Sequence, residues 1–156
     1  EQNNNPYIDS GLNLNFDYRN WDLSFNFRGV GDVQKINNVR QYRENMVAGG
    51  ANFLSTVLDR WTPQNPSTTM PRTIANDPAG NNRMSDRWVE DAGFFRLQNL
   101  QLGYTFSPDL LNKVGINSTR LYLSGSNLFV ITPYSGLDPE NDTTPVVFTA
   151  GININF

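Results

Sequence analysis

The chain has 156 residues and a formal charge of −3, with neither cysteine nor histidine. Those two absences exclude disulfides, thiolate and imidazole metal sites, and the Ser-His-Asp and Cys-His catalytic arrangements. No basic tract is present to neutralise a run of phosphates, so nucleic acid is not an expected partner.

Hydrophobic residues make up 38%, aromatic residues 12% and charged residues 17%, the last well below the roughly 25% of soluble domains. Uncharged polar residues alternating with apolar ones would produce that balance. No run of about 18 apolar residues occurs, which excludes a transmembrane helix but says nothing of barrel strands. No secretory h-region opens the sequence, so the chain is expected either to begin after processing or to be a fragment, and the strand close to its start favours a fragment of a longer chain.

The first element spans 12–18, where Leu12, Leu14, Phe16 and Tyr18 alternate with polar residues, the period of a two-faced strand. Arg19-Asn20 makes a tight turn into 21–28, whose odd positions Trp21, Leu23, Phe25 and Phe27 are apolar; the pair predicts a β-hairpin. Alternation then stops over 31–87, a stretch long enough to be a structured surface loop. Phe53, Val57, Leu58 and Trp61 share one helical face, which predicts a helix over 51–61. A third strand is expected over 94–106. Phe95 and Leu97 fall on one parity and Leu100, Leu102, Tyr104 and Phe106 on the other, so a bulge near Gln98-Asn99 is required. A short helical turn is expected at 108–112, a fourth strand at 119–129, a loop at 130–144 and a last strand at 146–156. In that last strand Val146, Phe148, Ala150, Ile152, Ile154 and Phe156 form one stripe.

Strands of about 9–13 residues match a tilted membrane crossing better than the ~5–6 of globular sheets. The expected fold is therefore all-β: antiparallel strands from the C-terminal part of a transmembrane β-barrel with long extracellular loops, about five strands across 1–156. Counted back from the C-terminus the connections run to about 15, 12, 57 and 2 residues, which alternates long with short as outer-membrane barrels do. With Phe156 at the periplasmic end, 31–87 and 130–144 are extracellular. Tyr18, Trp21, Tyr104 and Phe106 then mark a periplasmic aromatic girdle. The lipid-facing set is Leu12, Leu14, Phe16, Leu23, Phe25, Leu100, Leu102, Leu121, Leu123, Phe148, Ile152 and Ile154. Five strands cannot close a barrel, so the rest of the barrel and its plug are expected partners.

From Trp88 onward the sequence carries family marks. Trp88-Val89-Glu90-Asp91-Ala92-Gly93-Phe94-Phe95-Arg96-Leu97-Gln98-Asn99-Leu100-Gln101-Leu102-Gly103-Tyr104 resembles a hallmark of the SusC/RagA family of TonB-linked outer-membrane transporters. Leu121-Tyr122-Leu123-Ser124-Gly125-Ser126-Asn127-Leu128-Phe129 resembles the strand that follows, and Tyr134-Ser135-Gly136-Leu137-Asp138-Pro139-Glu140 the last extracellular loop. Arg60-Trp61-Thr62-Pro63-Gln64-Asn65-Pro66, with Pro71-Arg72, resembles the long-loop motif. Two positions depart from the pattern. Thr144-Pro145-Val146-Val147 stands where many members have Pro-x-x-Arg, and Gly93 stands where Ser is common.

The resemblance implies a 22-stranded barrel with a plug, a SusD-like lipoprotein lid, and import of glycans or peptides driven by the TonB–ExbB–ExbD complex. Phe156, a terminal aromatic closing an alternating strand, separately resembles the assembly signal read by the BAM machinery, a role compatible with a girdle aromatic. The expected location is the bacterial outer membrane, and no cofactor is expected. A non-transport barrel (adhesin or structural) and a soluble β-sandwich binding module are the alternatives; an enzyme is not expected.

Arg72, Arg83, Arg87, Trp88 and Tyr134 are the candidate contacts to substrate or lid, because loops on a rigid scaffold commonly carry binding. The acidic run 138–142 lacks the glycine and distal Glu of a calcium loop and is expected to be a solvated loop without metal. Asp86-Arg87 and Glu90-Asp91 are expected to make rim salt bridges, and Gly29-Val30-Gly31 a strand end.

Overall fold

The computed structural model describes residues 6–47, 52–74, 76–107, 115–140 and 143–155. In chain order its regular elements are β1 (Ile8–Tyr18), β2 (Trp21–Gly31), β3 (Gln34–Ile36), helix α1 (Asn38–Glu44), β4 (Val89–Asp91), β5 (Phe94–Thr105), β6 (Ser118–Ile131) and β7 (Val147–Asn155). The five long strands form one antiparallel sheet in the order β1-β2-β5-β6-β7, so each pairs with the next long strand in sequence. Strands β3 and β4 form a separate ribbon inside the long connection.

Register turns the sequence alternation into two chemically distinct faces. Phe16, Leu23, Leu102, Leu123 and Ala150 are successive cross-strand partners. One residue away, Asn15, Ser24, Gln101, Ser124 and Thr149 make the parallel polar row. Directly opposed residues share a face, so one side of the sheet is hydrocarbon and the other is amide and hydroxyl. Leu123 and Ile152 are each 58% exposed and Phe148 77%. Among the described residues no element packs on that face, in contrast to a sandwich, which buries its apolar side against a second sheet.

The expected bulge is present. Asn26 pairs with Asn99 and Phe27 with Leu97, leaving Gln98 as the extra residue. The shift returns Phe95 and Leu97 to the apolar side, where Phe95 stacks on Phe27 at 5.3 Å and Phe27 on Phe25 at 6.0 Å. Strand β6 answers at the same level with Asn127 in the left-handed region (φ 55°), a conformation that Asn tolerates better than most residues. At the hairpin end, Trp21 lies 4.8 Å from Tyr104, and Tyr104 5.1 Å from Phe106. Tyr18 pairs with Trp21, so the four girdle candidates form one band.

On the polar face, Arg120 bridges to Asp22 across Gly103. A Cβ at Gly103 would overlap both partners, so the missing side chain is what lets an ion pair span three strands. The Tyr122 ring covers Gly151 on the next strand in the same way.

The helix expected over 51–61 is not formed. A 3-10 turn at Ser55–Asp59 is flanked by extended Leu54 and Arg60 and has no side-chain cap, and Leu58 remains 72% exposed. Adjacent Thr56 and Val57 are β-branched, and Pro63 follows within a turn of Trp61; both oppose propagation. Residue 51 lies outside the described residues, as does the turn expected at 108–112. The helix sits earlier, at Asn38–Glu44. Its Asn37 cap accepts from Arg40 N–H at 2.9 Å, and Arg40 pairs with Glu44 one turn on at 2.8 Å, two local signals that set a helix start. Most of the buried apolar side chains (Met46, Met70, Trp88, Ala92) belong to this long connection rather than to the sheet.

Candidate functional site on the polar wall

Arg28 and Arg96 stand directly opposite each other across β2 and β5. Their guanidiniums both lie over the ring of Phe94, at 5.9 and 5.1 Å. Like charges in that position repel, so the pair requires anions. Asp9 on β1 accepts from Arg28 Nε and Nη2 at 3.1 and 2.9 Å, and Glu140 pairs with Arg28 from the other side. Both carboxylate oxygens of Asp138 accept from Arg96 Nη2, at 2.9 and 2.8 Å. The segment after β6 is therefore bent inward over the polar wall. This corrects the expectation of a solvated acidic loop: Asp138 is 7% exposed and faces an arginine that is 3% exposed. Residues 141–142 of that run lie outside the described residues. The strand arginines also explain how the last loop is held without the Arg of a Pro-x-x-Arg element.

The two ion pairs differ in kind. Arg96–Asp138 is desolvated, so losing either partner strands a charge. Arg28 and Glu140 keep about a third of their side-chain surface (30% and 32%), and such pairs contribute about 0–1 kcal/mol. Beside the second pair lies a cavity of about 350 Å³, bounded by Arg28, Lys35, Gln34, Phe94, Val30 and Glu140 among others.

A second cluster ties this strap to the long connection. Glu90 on β4 accepts from Ser135 N–H at 2.9 Å, from the Ser135 hydroxyl, from Arg40 Nη1 at 2.8 Å and from Asn37 Nδ2 at 3.2 Å. Lys35 donates to the Asp138 carbonyl at 3.4 Å, and Thr132 Oγ1 donates to the Gly93 carbonyl at 2.8 Å. Glu90 thus makes the ion pair expected of it, with Arg40, whereas Asp91 accepts from Gly93 N–H and Arg87 stacks on Trp88.

Burial alone would raise the Glu90 pKa, but the hydrogen bonds from Ser135, Arg40 and Asn37 outweigh it and hold the carboxyl below its ordinary value of 4.5. A depressed folded pKa contributes stability that is fully present above the unfolded value and is lost as pH falls through the folded one. The Ser135 amide is a direct reporter. Its hydrogen exchange, corrected for intrinsic rate, is expected to stay slow at neutral pH and to accelerate once pH drops below about 4.5. Glu90→Gln should accelerate it at neutral pH; unchanged protection in that variant would show that Glu90 does not hold the strap.

The five loop candidates do not form one site. Trp88 is wholly buried and donates from Nε1 to the Arg83 carbonyl at 3.1 Å. Arg87 lies over its ring at 4.6 Å, with Nη2 3.2 Å from Met70 Sδ. Burial removes Trp88 from the set that a ligand could touch on this chain: it is the floor of the loop. Arg72 and Arg83 are exposed. Tyr134 lies apart from them, on the strap, with Lys35 over its ring at 5.6 Å. The residues that sequence reasoning passed over are Arg28, Arg96 and Lys35, and the available signal was two arginines that the strand register sets side by side on the polar face.

No family model matches the chain. It is 32% identical over 135 residues to TonB-dependent receptor P3 of Formosa agariphila, covering 86% of this chain and 13% of that protein. It is 29% identical over 157 residues to TonB-dependent receptor SusC of Bacteroides thetaiotaomicron, covering 94% of this chain and 15% of that one. Among solved structures, the RagAB peptide transporter superposes with a TM-score of 0.87 at 27% identity, over 100% of this chain and 18% of that chain. The RagAB peptide importer in its open-open state gives 0.83 at 28%, over 97% and 17%. The chain thus spans less than a fifth of the length of the relatives it matches. Two-faced strands of membrane-crossing length, an uncovered apolar side and these likenesses agree: the chain is a SusC/RagA-like C-terminal barrel segment of a TonB-dependent receptor in the bacterial outer membrane.

Proposed function

We propose that the chain closes one side of the barrel of an importer that takes up glycans or peptides, working with a SusD-like lipoprotein and energised by TonB–ExbB–ExbD. The observation that carries this reading is the separation of faces: an apolar side with no cover, and a polar side onto which a loop folds and is held by strand arginines. A barrel that only anchors an adhesin has no need for such an inward strap.

In this reading Leu12, Leu14, Phe16, Leu23, Phe25, Leu100, Leu102, Leu121, Leu123, Phe148, Ile152 and Ile154 meet lipid. Tyr18, Trp21, Tyr104 and Phe106 lie at the periplasmic interface. The connection after β2 and the strap after β6 emerge on the extracellular side, where Arg72, Arg83 and Tyr134 are open to the lid or to substrate. Phe156, outside the described residues, is the signal for the BAM machinery. The plug and the remaining strands come from the rest of the receptor.

The test is uptake by cells carrying the complete receptor. Labelled oligosaccharides and peptides are followed with and without a functional TonB. TonB-dependent accumulation of either class is expected; cells that accumulate neither, with the receptor present and folded in the outer membrane, would leave a non-transport barrel as the better reading.

A further inference from the structure

We propose that the cavity beside Arg28 and Lys35 is a binding site for a carboxylate-bearing ligand, and that Glu140 occupies the edge of that site as a displaceable internal stand-in. The inference rests on the import reading, because it places the cavity on the pore side of the wall, and it deepens that reading by naming the chemistry of what is held there.

Three observations carry it. First, the cavity is about 350 Å³ and is walled by two cations, Arg28 and Lys35, with Gln34 and the apolar faces of Val30, Ala92 and Phe94. That is a mostly apolar pocket with a few convergent polar groups. Second, the charges are unequal in how firmly they are engaged. Arg96 is fixed to Asp138 by two hydrogen bonds in a desolvated pair, whereas Arg28 meets Glu140 through a half-exposed contact. Among the described residues Lys35 has no carboxylate within ion-pair distance; its ammonium lies 3.4 Å from the Asp138 carbonyl and 5.6 Å from the Tyr134 ring. Third, the group already at the cavity's edge is a carboxylate, presented by the same strap that Asp138 pins. Asp138 is the pin and Glu140 the free end. An incoming carboxylate can take the place of Glu140 at Arg28 and gain Lys35 as well, forming two charge-assisted contacts where the strap makes one. Asp9 stays on Arg28 throughout, so the guanidinium remains oriented.

A carboxylate of this kind occurs on acidic peptides and on uronic-acid oligosaccharides, and the experiment separates the two. The complete receptor, purified from membranes in detergent, is titrated calorimetrically with tri-glutamate and tri-galacturonate. Tri-glutamine and maltotriose serve as their uncharged counterparts. At least one acidic compound is expected to bind about tenfold or more tightly than its counterpart, with the preference shrinking at high salt; the arm that shows it identifies the source.

Glu140→Gln removes the internal competitor and is expected to tighten acidic binding by about two- to fivefold, the equivalent of one half-exposed ion pair, without affecting the neutral compounds. Lys35→Gln should weaken acidic binding. Its site lies on the short β3–β4 ribbon, outside the five-stranded sheet, so it keeps the test decisive if the first variant does not assemble, and heat-dependent mobility in gels confirms folding of each. Equal binding of charged and uncharged compounds overturns the proposal, and so does a Glu140→Gln receptor whose acidic affinity is unchanged or weaker. Titration needs no energy coupling. Binding as expected without TonB-dependent uptake would therefore count against import alone, and uptake without charge preference would count against this site alone.

Discussion

Replacing Asp138 with Ala in the complete receptor is expected to destabilise the fold by about 3–5 kcal/mol, the loss typical when one member of a buried ion pair is removed. The reason is asymmetric. Arg96 is 3% exposed, its Nε already lacks a hydrogen-bond partner, and its Nη2 makes both of its bonds to this one carboxylate. With Asp138 gone, a guanidinium stays desolvated opposite Arg28 with no counter-charge on its own side. The Glu140 amide, which donates to Asp138 at 2.9 Å, loses its acceptor too. Glu140→Ala removes only the half-exposed contact and should cost no more than about 1 kcal/mol.

The paired substitution Arg96→Met with Asp138→Leu separates charge from shape. Removing both charges together is expected to recover most of the loss, since apolar replacements of buried ion pairs are often neutral or better. The temperature at which the folded barrel band disappears on gels ranks the variants. Equal shifts for Asp138→Ala and Glu140→Ala would mean that Asp138 is not the pin.

What could be read from the sequence follows from how local each feature is. Period-two alternation is set by neighbouring residues, and the rows through Leu102 and Gln101 follow once the strands are paired. The bulge at Gln98 was legible because Leu97 and Leu100 differ in parity, and a membrane-facing stripe cannot change sides. The four aromatics of the hairpin end were placed together for a similar reason: turn lengths fix which strand ends are level.

The strap was not legible. Arg96 and Asp138 lie 42 residues apart, and nothing local says that an acidic loop turns inward rather than into solvent. The clue was complementary charge: Arg28 and Arg96 adjacent on the polar face, and a later segment with Asp138 and Glu140. Trp88 was misread because a tryptophan in a loop motif suits contact or core equally; which one holds depends on Arg87, Met70 and Arg83 arriving around it. The misplaced helix has the opposite cause. A four-residue apolar face suggested one over 51–61, while the capping and charge pair at Asn37, Arg40 and Glu44 went unused.

Leu123→Arg is the substitution that tests the membrane assignment most directly. Leu123 lies near the middle of β6, opposite Leu102 and Ala150, and is 58% exposed. In water an arginine at a site this open would be nearly neutral, because exposed positions away from caps and cores tolerate substitution within about 0.5 kcal/mol. In a bilayer the same change puts a guanidinium against lipid tails and costs about 2–4 kcal/mol near the midplane.

Ser124→Arg is the control one residue along, on the row with Gln101 and Thr149, where the side chain points to the wet side and can be hydrated. The expected result is a clear fall in folded, membrane-inserted receptor for Leu123→Arg and a small effect for Ser124→Arg, measured as the folded fraction in lipid vesicles across a urea series. The contrast matters more than either value. Both variants add the same charge at the same height, so only the identity of the medium on each side of the sheet can separate them. Equal tolerance at the two positions would mean that water bathes both faces and that no bilayer surrounds this sheet.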